Sequence, residues 1–352
     1  MAHLKQKRIR VMVVEDSMTT LELLLSILDN EEDINVVGTA KNGFEAVQNV
    51  KNIAPDIILM DINMPIMNGF EASGKIMEEC PTPILLVSAS WELSEVKPIV
   101  ESMQLGVLGV HKKPPSPFDS DFKRLSQEML EAIRTMSEVK VVKRRFGQNI
   151  ISESMKIEHN RSYSQIVIGA STGGPPVIHK ILSRLPANYA YPIVVAQHMS
   201  AEFIENFVRW LDMSVAVKVK EAQDLEEMKA GMVYVAPKGF HILLQKNLIR
   251  LEEASLDEII VPKISKLFAS IGEKEAKETL AILLSGMGED GADAMRTLRD
   301  FGAMTVAQNQ ESSVVYGMAK KAKDLGGVEL TLSPEEIGEL LVKISKEELR
   351  AC

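Results

Sequence analysis

Gly169-Ala170-Ser171-Thr172-Gly173-Gly174 follows the apolar run Ile166–Ile168 and leads through Pro175-Pro176 into the helical pattern Val177–Leu185. A strand, a loop of small residues and a helix in that order form the repeating unit of an α/β fold. The loop sits where such folds do chemistry. Glycines on both sides allow a sharp bend that lifts the Ser171 hydroxyl out of the sheet as a nucleophile. Backbone N–H groups at the following helix N-terminus suit an anion, either a bound phosphate or a developing oxyanion.

The same alternation continues on both sides of this loop. Downstream, strands are expected at Pro192–Ala196, Val215–Val219, Met232–Val235, Thr279–Leu284 and Met304–Val306, with a hairpin across 242–251. Helices are expected at Ala201–Leu211, Ile264–Ile271, Ala292–Arg299 and Pro334–Ile344. The hairpin predicts a mixed, mostly parallel sheet. Upstream, the runs Ile9–Val14, Ile34–Thr39, Ile57–Met60, Ile84–Val87 and Val107–Val110 alternate with amphipathic segments such as Thr19–Leu28 and Phe70–Met77. That pattern predicts a five-stranded doubly wound parallel sheet. Between the two lies a polar stretch containing Lys143-Arg144-Arg145, read as a solvated linker. The expected organisation is therefore residues 1–138, a linker 139–163, and a second α/β domain 164–352.

A chain of 352 residues fits two domains, each large enough to bury a core. A net charge of −9 argues against non-specific nucleic-acid binding. No apolar stretch reaches the roughly 20 residues that span a bilayer, and residues 1–10 lack the apolar core of a signal peptide, so a cytoplasmic protein is expected. Cys80 and Cys352 are the only cysteines, too few for a disulfide framework. Methionines are read mostly as core filler, with Met199 and Met287 beside the serine site, and Trp91 and Trp210 as packing residues.

In an open parallel sheet the ligand site lies at the carboxyl ends of the strands. In the first domain this rule selects Glu15, Asp16, Asp61, Ser88 and the Lys112-Lys113 pair. Three carboxylates offer hard oxygen ligands for Mg²⁺, and such a site invites phosphoryl transfer to an aspartate. Helix capping by Asp16 or Ser17 is the plainer use of those residues. The stretches Val13-Val14-Glu15-Asp16-Ser17, Asp61-Ile62-Asn63-Met64-Pro65, Val87-Ser88-Ala89 and Lys113-Pro114 resemble the receiver domains of two-component response regulators. The resemblance implies that Asp61 is the phosphoacceptor, that Glu15 and Asp16 help bind Mg²⁺, and that Ser88 and Lys113 contact the phosphoryl group. Val110 stands where many receivers carry an aromatic residue.

In the second domain Ser171 needs a base. Of six histidines, His3, His111 and His159 lie in the tail, the first domain or the linker, His179 lies within a helix, and His241 opens a hairpin strand. His198 follows the strand ending at Ala196, at the same kind of sheet edge as Ser171, where an imidazole can take a serine proton. Glu289, Asp290 and Asp293 are the candidate carboxylates to orient it, and Asp290 could alternatively cap the helix that follows. The order Ser, His, Asp differs from that of α/β-hydrolases.

Gly169–Pro175, Ala196-Gln197-His198-Met199, Val233–Pro237, Ser285–Ala292 and Ser313–Met318 resemble the catalytic domain of chemotaxis protein-glutamate methylesterases. The resemblance implies hydrolysis of glutamate γ-methyl esters on chemoreceptors, with release of methanol, and deamidation of particular receptor glutamines. Ser171 would be nucleophile, His198 the base and Asp290 its orienting carboxylate, with backbone N–H groups near Thr172 and Met287 facing the oxyanion. It further implies a chemotaxis histidine kinase as phosphodonor, inhibition by the unphosphorylated receiver, and an esterase site without a cofactor. Val261-Pro262-Lys263, Ala319 and Asp224–Glu227 depart from the commoner pattern. The rival reading is a receiver-controlled module whose glycine-rich loop holds a phosphate without covalent chemistry. It lacks the acidic residue expected about 20 residues after a dinucleotide loop.

Overall fold

β-Branched runs flanked by amphipathic helices bury both faces of a strand, which is the condition for parallel pairing. In the computed structural model the described residues are 8–89, 92–139, 141, 161–255, 258 and 260–351. Trp91, most of the expected linker with Lys143–Arg145, His3, His159 and Cys352 lie outside them. The chain divides into two compact units, Met1–Arg144 and Arg145–Cys352.

The first unit runs β1 (Ile9–Val14), α1 (Met18–Asp29), β2 (Ile34–Ala40), α2 (Gly43–Ile53), β3 (Ile57–Asp61), α3 (Gly69–Glu79), β4 (Ile84–Ser88), α4 (Leu93–Leu105), β5 (Gly109–Lys112) and α5 (Phe122–Ser137). Its five strands are all parallel, in the order β2-β1-β3-β4-β5. One side of the core packs Leu24, Leu28, Met129 and Ile133 against Val11, Val13, Leu59 and Val87. Chain order reverses between β1 and β3, so the crevice opens between the ends of those two strands.

The second unit runs β6 (Gln165–Ala170), α6 (Gly174–Leu182), β7 (Ile193–Gln197), α7 (Ala201–Ser214), β8 (Lys218–Glu221), β9 (Met232–Val235), β10 (Phe240–Gln245) and β11 (Leu248–Glu253). It continues with α8 (Ile264–Ala269), α9 (Glu273–Ala276), β12 (Thr279–Leu283), α10 (Ala292–Asp300), β13 (Met304–Gln308), α11 (Met318–Asp324), β14 (Leu330–Leu332) and α12 (Pro334–Ala351). Seven strands form one sheet in the order β14-β13-β12-β6-β7-β9-β8, every pairing parallel. The hairpin does not mix into it. β10 and β11 pair antiparallel as a separate two-stranded sheet, whose inner residues Ile242, Leu244 and Ile249 pack with Leu267 and Phe268 of α8. A two-residue connection favours that local pairing over insertion beside a distant strand.

α6 opens at Gly174 with Pro175 and Pro176 in its first turn, where no intrahelical N–H bond is needed. Trp210 packs on Phe207, ring centroids 6.1 Å apart, and on His179 at 4.6 Å. Chain order reverses between β6 and β12, which places the loops after β6, β7 and β12 side by side at one edge.

Candidate active site

β7 lies beside β6 with Ala170 opposite Gln197, and β12 lies on its other side with Leu283 opposite Gly169. This register carries Ser171, His198 and the segment 284–291 out of the sheet together. Backbone bonds hold the junction: the His198 N–H donates to the Ala170 carbonyl at 2.9 Å, and the Ser171 N–H to the Ser285 carbonyl at 3.0 Å. The Ser285 hydroxyl, fully buried, donates to the Thr172 carbonyl at 2.8 Å and accepts from the Val315 N–H at 3.1 Å. These bonds tie the serine loop to the segment before α11.

The two glycines that flank Ser171 do different work. Gly173 has φ +77° and caps α6, so the bend is made there. Gly169 lies within β6, and a Cβ on it would collide with Ile264 of α8. Its role is close packing rather than bending.

His198 Nε2 stands 2.9 Å from Asp290 Oδ2, with both side chains mostly buried. Asp290 also accepts the Ile264 N–H at 2.7 Å and the Ser265 N–H at 3.0 Å. It therefore caps α8, from a distant part of the chain, and not its own helix α10, whose N-cap is Gly291. Burial alone would raise the Asp290 pKa; bonds from His198, Ser265 and Ile264 outweigh it and hold the carboxyl well below its ordinary range. The rival carboxylates stand elsewhere: Glu289 pairs with Lys321 at 2.9 Å, and Asp293 lies in the first turn of α10.

With Nε2 engaged by Asp290, the remaining ring nitrogen of His198 is Nδ1. Ser171 is buried to 9% exposure, and its hydroxyl forms no hydrogen bond among the described residues. The Thr172 and Met287 N–H groups likewise donate to no group among the described residues. Against Ser171 packs Gly286, where a Cβ would strike the Ser171 Cβ and Met318.

Two residues outside the sequence-derived set shape this edge. Gln197 donates from Nε2 to the Ser171 carbonyl at 3.0 Å and to the His198 carbonyl at 2.7 Å. His241, fully buried, accepts the Lys263 N–H on Nδ1 at 2.9 Å while its Nε2 meets Glu258 at 3.2 Å, fixing the residue that precedes α8. An amide side chain between a buried strand and His198 was the available signal for Gln197; nothing local marks the link from His241 to α8.

In the first unit, Glu15, Asp16 and Asp61 bring ligand oxygens within 4.8 Å of one another, a carboxylate set that could hold a metal ion. Ser17, not Asp16, caps α1, accepting the Thr20 N–H, so Asp16 stays free for that cluster. Lys113 Nζ lies 2.7 Å from Glu15 and 2.8 Å from Asp61. Burial pushes the pKa of Asp61 and of Glu15 upward, and Lys113 opposes the rise at both. Ser88 is buried at the end of β4, and its carbonyl accepts the Lys113 N–H at 2.8 Å.

A parallel-sheet unit with a lysine-bridged acidic crevice, joined to a second with a buried histidine–carboxylate pair beside a serine loop, defines a class: hydrolases that carry their own regulatory domain. Comparison with known proteins agrees. Residues 11–119 match the response regulator receiver domain family and residues 166–341 match the CheB methylesterase family. The chain is 40% identical over 345 residues to the protein-glutamate methylesterase/protein-glutamine glutaminase 2 of Methanospirillum hungatei, covering 96% of this chain and 99% of that protein. It is 39% identical over 351 residues to protein 1 of the same name from Syntrophus aciditrophicus, covering 96% and 98%. The crystal structure of the Thermotoga maritima CheB methylesterase catalytic domain is 34% identical and covers 52% of this chain and 99% of its own, with a TM-score of 0.49. The chain belongs to the CheB methylesterase family and carries a response regulator receiver domain at its N-terminal end.

Proposed function

We propose that the protein hydrolyses glutamate γ-methyl esters on chemoreceptors and deamidates particular receptor glutamines, under control of phosphorylation at Asp61. The observation that carries the reading is the His198–Asp290 pair at the edge where the Ser171 loop leaves the sheet. Ser171 Oγ attacks the ester carbonyl carbon and its proton passes to His198 Nδ1. Asp290, ionised and bonded to Nε2, stabilises the imidazolium. The oxyanion faces the Thr172 and Met287 N–H groups, each worth roughly 10²–10³ in rate. Collapse expels the methoxy group, which leaves as methanol with the His198 proton; a glutamine side chain leaves ammonia instead. Water, deprotonated by His198, then attacks the acyl-enzyme and returns glutamate and free Ser171. No group in this sequence of steps calls for a cofactor.

In the receiver, Glu15, Asp16 and Asp61 are the residues that would hold Mg²⁺, whose charge offsets that of the transferring phosphoryl oxygens. Asp61 takes the phosphoryl group from a chemotaxis histidine kinase, and Lys113, already beside Asp61, moves to the new oxygens with Ser88. Phosphorylation shifts the population from an inhibited to an active arrangement of the two units. No helix among the described residues is long and apolar enough to cross a membrane, in keeping with a cytoplasmic enzyme that meets receptors from that side. The experiment is methanol release from methyl-labelled receptor membranes, with and without phosphorylation. Release that is absent from the wild type, or unaffected by phosphorylation, contradicts the reading.

A further inference from the structure

The ladder between β6 and β7 ends at the pair Ala170 and Gln197, closed by the His198 N–H to Ala170 carbonyl bond. Beyond that pair the two chains separate, and Ser171 and His198 stand on different loops. Among the described residues one side chain hydrogen-bonds the backbones of both: Gln197, 1% exposed, whose Nε2 reaches the Ser171 carbonyl at 3.0 Å and the His198 carbonyl at 2.7 Å. Only an amide nitrogen can face two carbonyl oxygens, so the orientation of the amide is set by its surroundings. The consequence is that Gln197 Oε1 is buried without a partner, pressed toward Gly174, where a Cβ would overlap it. A buried acceptor without a partner opposes folding. Natural sequences retain such local conflicts at functional sites more than elsewhere.

We infer that Gln197 is a positioning residue for the ester hydrolysis, a clamp that sets the distance between the Ser171 hydroxyl and the His198 ring through their own carbonyls. The inference rests on the assignment of Ser171 and His198 as nucleophile and base. Both clamped carbonyls belong to those two residues, and the Ser171 carbonyl also takes the Gly174 N–H at 2.8 Å. Loss of the clamp leaves Ser171 tied to the start of α6, and His198 tied to Ala170 through its N–H and to Asp290 through its ring, but removes the side-chain link that sets the spacing of the two loops. A misplacement of about 1 Å between reacting groups costs on the order of 100-fold in rate.

The test uses the full-length chain with Gln197→Met, which keeps the length and removes both the donor and the orphan acceptor, and Gln197→Glu, which keeps the shape and removes the donor. Methanol release gives kcat and KM, labelling of Ser171 by a fluorophosphonate reads nucleophile alignment without receptor, and thermal unfolding reads stability. The expected result is kcat down about 10- to 100-fold with KM within about threefold, labelling slowed in parallel, and a thermal midpoint within about 3 °C of wild type for Gln197→Met. A kcat within about threefold of wild type in both variants overturns the inference. So does a loss of activity matched by loss of the folded state in both, which marks a structural brace. Ser171→Ala runs alongside: if it still turns over, the nucleophile assignment fails; if it is inactive while both Gln197 variants work normally, the clamp alone fails.

Discussion

His198 Nε2 and Asp290 Oδ2 are 2.9 Å apart, and the same Asp290 oxygen accepts the Ile264 N–H at 2.7 Å. One carboxylate thus orients the imidazole and caps a helix that begins 26 residues upstream. Asp290→Asn keeps the size of the side chain but changes which tautomer of His198 is favoured. The expected loss in kcat is about 10²- to 10⁴-fold with KM little changed, measured as methanol release from methylated receptors. A KM effect with kcat intact would assign Asp290 to substrate binding instead.

The pH dependence of stability follows from the same contacts. The folded-state pKa of Asp290 is depressed, so its stabilising contribution is fully present above the unfolded value of about 4. It is lost as pH falls below that toward the lower folded value. The difference in thermal midpoint between wild type and Asp290→Asn should therefore be present at about pH 5 and shrink below about pH 4. A difference that is unchanged at pH 3 would contradict the depressed value.

Gly286 leaves no room for a methyl group between Ser171 and Met318. Gly286→Ala should destabilise the second unit by about 1–3 kcal/mol through overpacking and lower activity beyond that, because the Ser171 Cβ is among the atoms, with the Met318 side chain, that the new methyl would displace. Calorimetry and methanol release together check this. A variant with wild-type midpoint and rate would show that the site is looser than its geometry.

Acetyl phosphate with Mg²⁺ should label wild type and leave Asp61→Ala unlabelled. Lys113→Met, which removes the only cation bonded to both Glu15 and Asp61 among the described residues, should slow labelling by at least tenfold. Equal labelling of Asp61→Ala and wild type would sink the phosphoacceptor assignment.

The two units have separate cores, so a fragment of residues 164–352 should fold and show higher basal esterase activity than the unphosphorylated full chain. An unchanged or lower rate in a folded fragment would argue against inhibition by the receiver.

What the sequence made legible was the topology of strand ends. Alternating β-branched runs and helices located β1, β3, β6, β7 and β12, and strand-end position pointed to Glu15, Asp61, Ser171, His198 and the carboxylates Glu289, Asp290 and Asp293, among which only the family resemblance singled out Asp290. Local pattern went no further than the strand ends. Asp290 looked equally suited to capping α10, because a capping preference is local while its actual donors, Ile264 and Ser265, come from another helix. The hairpin was visible, but its independence from the large sheet was not, since pairing partners depend on packing against α8. Gly169 and Gly173 read alike in sequence; only backbone angles and the approach of Ile264 separate a bend from a close contact. Gln197 read as the residue just past a strand ending at Ala196, and its two carbonyl bonds emerge only once β6 and β7 are in register.

Ser171 stands in the proposed function as the nucleophile of an esterase acting on receptor methyl glutamates. The most direct measurement is methanol release from methyl-labelled receptor membranes by the phosphorylated full-length chain and by Ser171→Ala. Release is expected from the wild type, with a fall of at least about 10³-fold in the alanine variant and the receiver still labelled at Asp61. Release by Ser171→Ala at the wild-type rate would contradict that assignment.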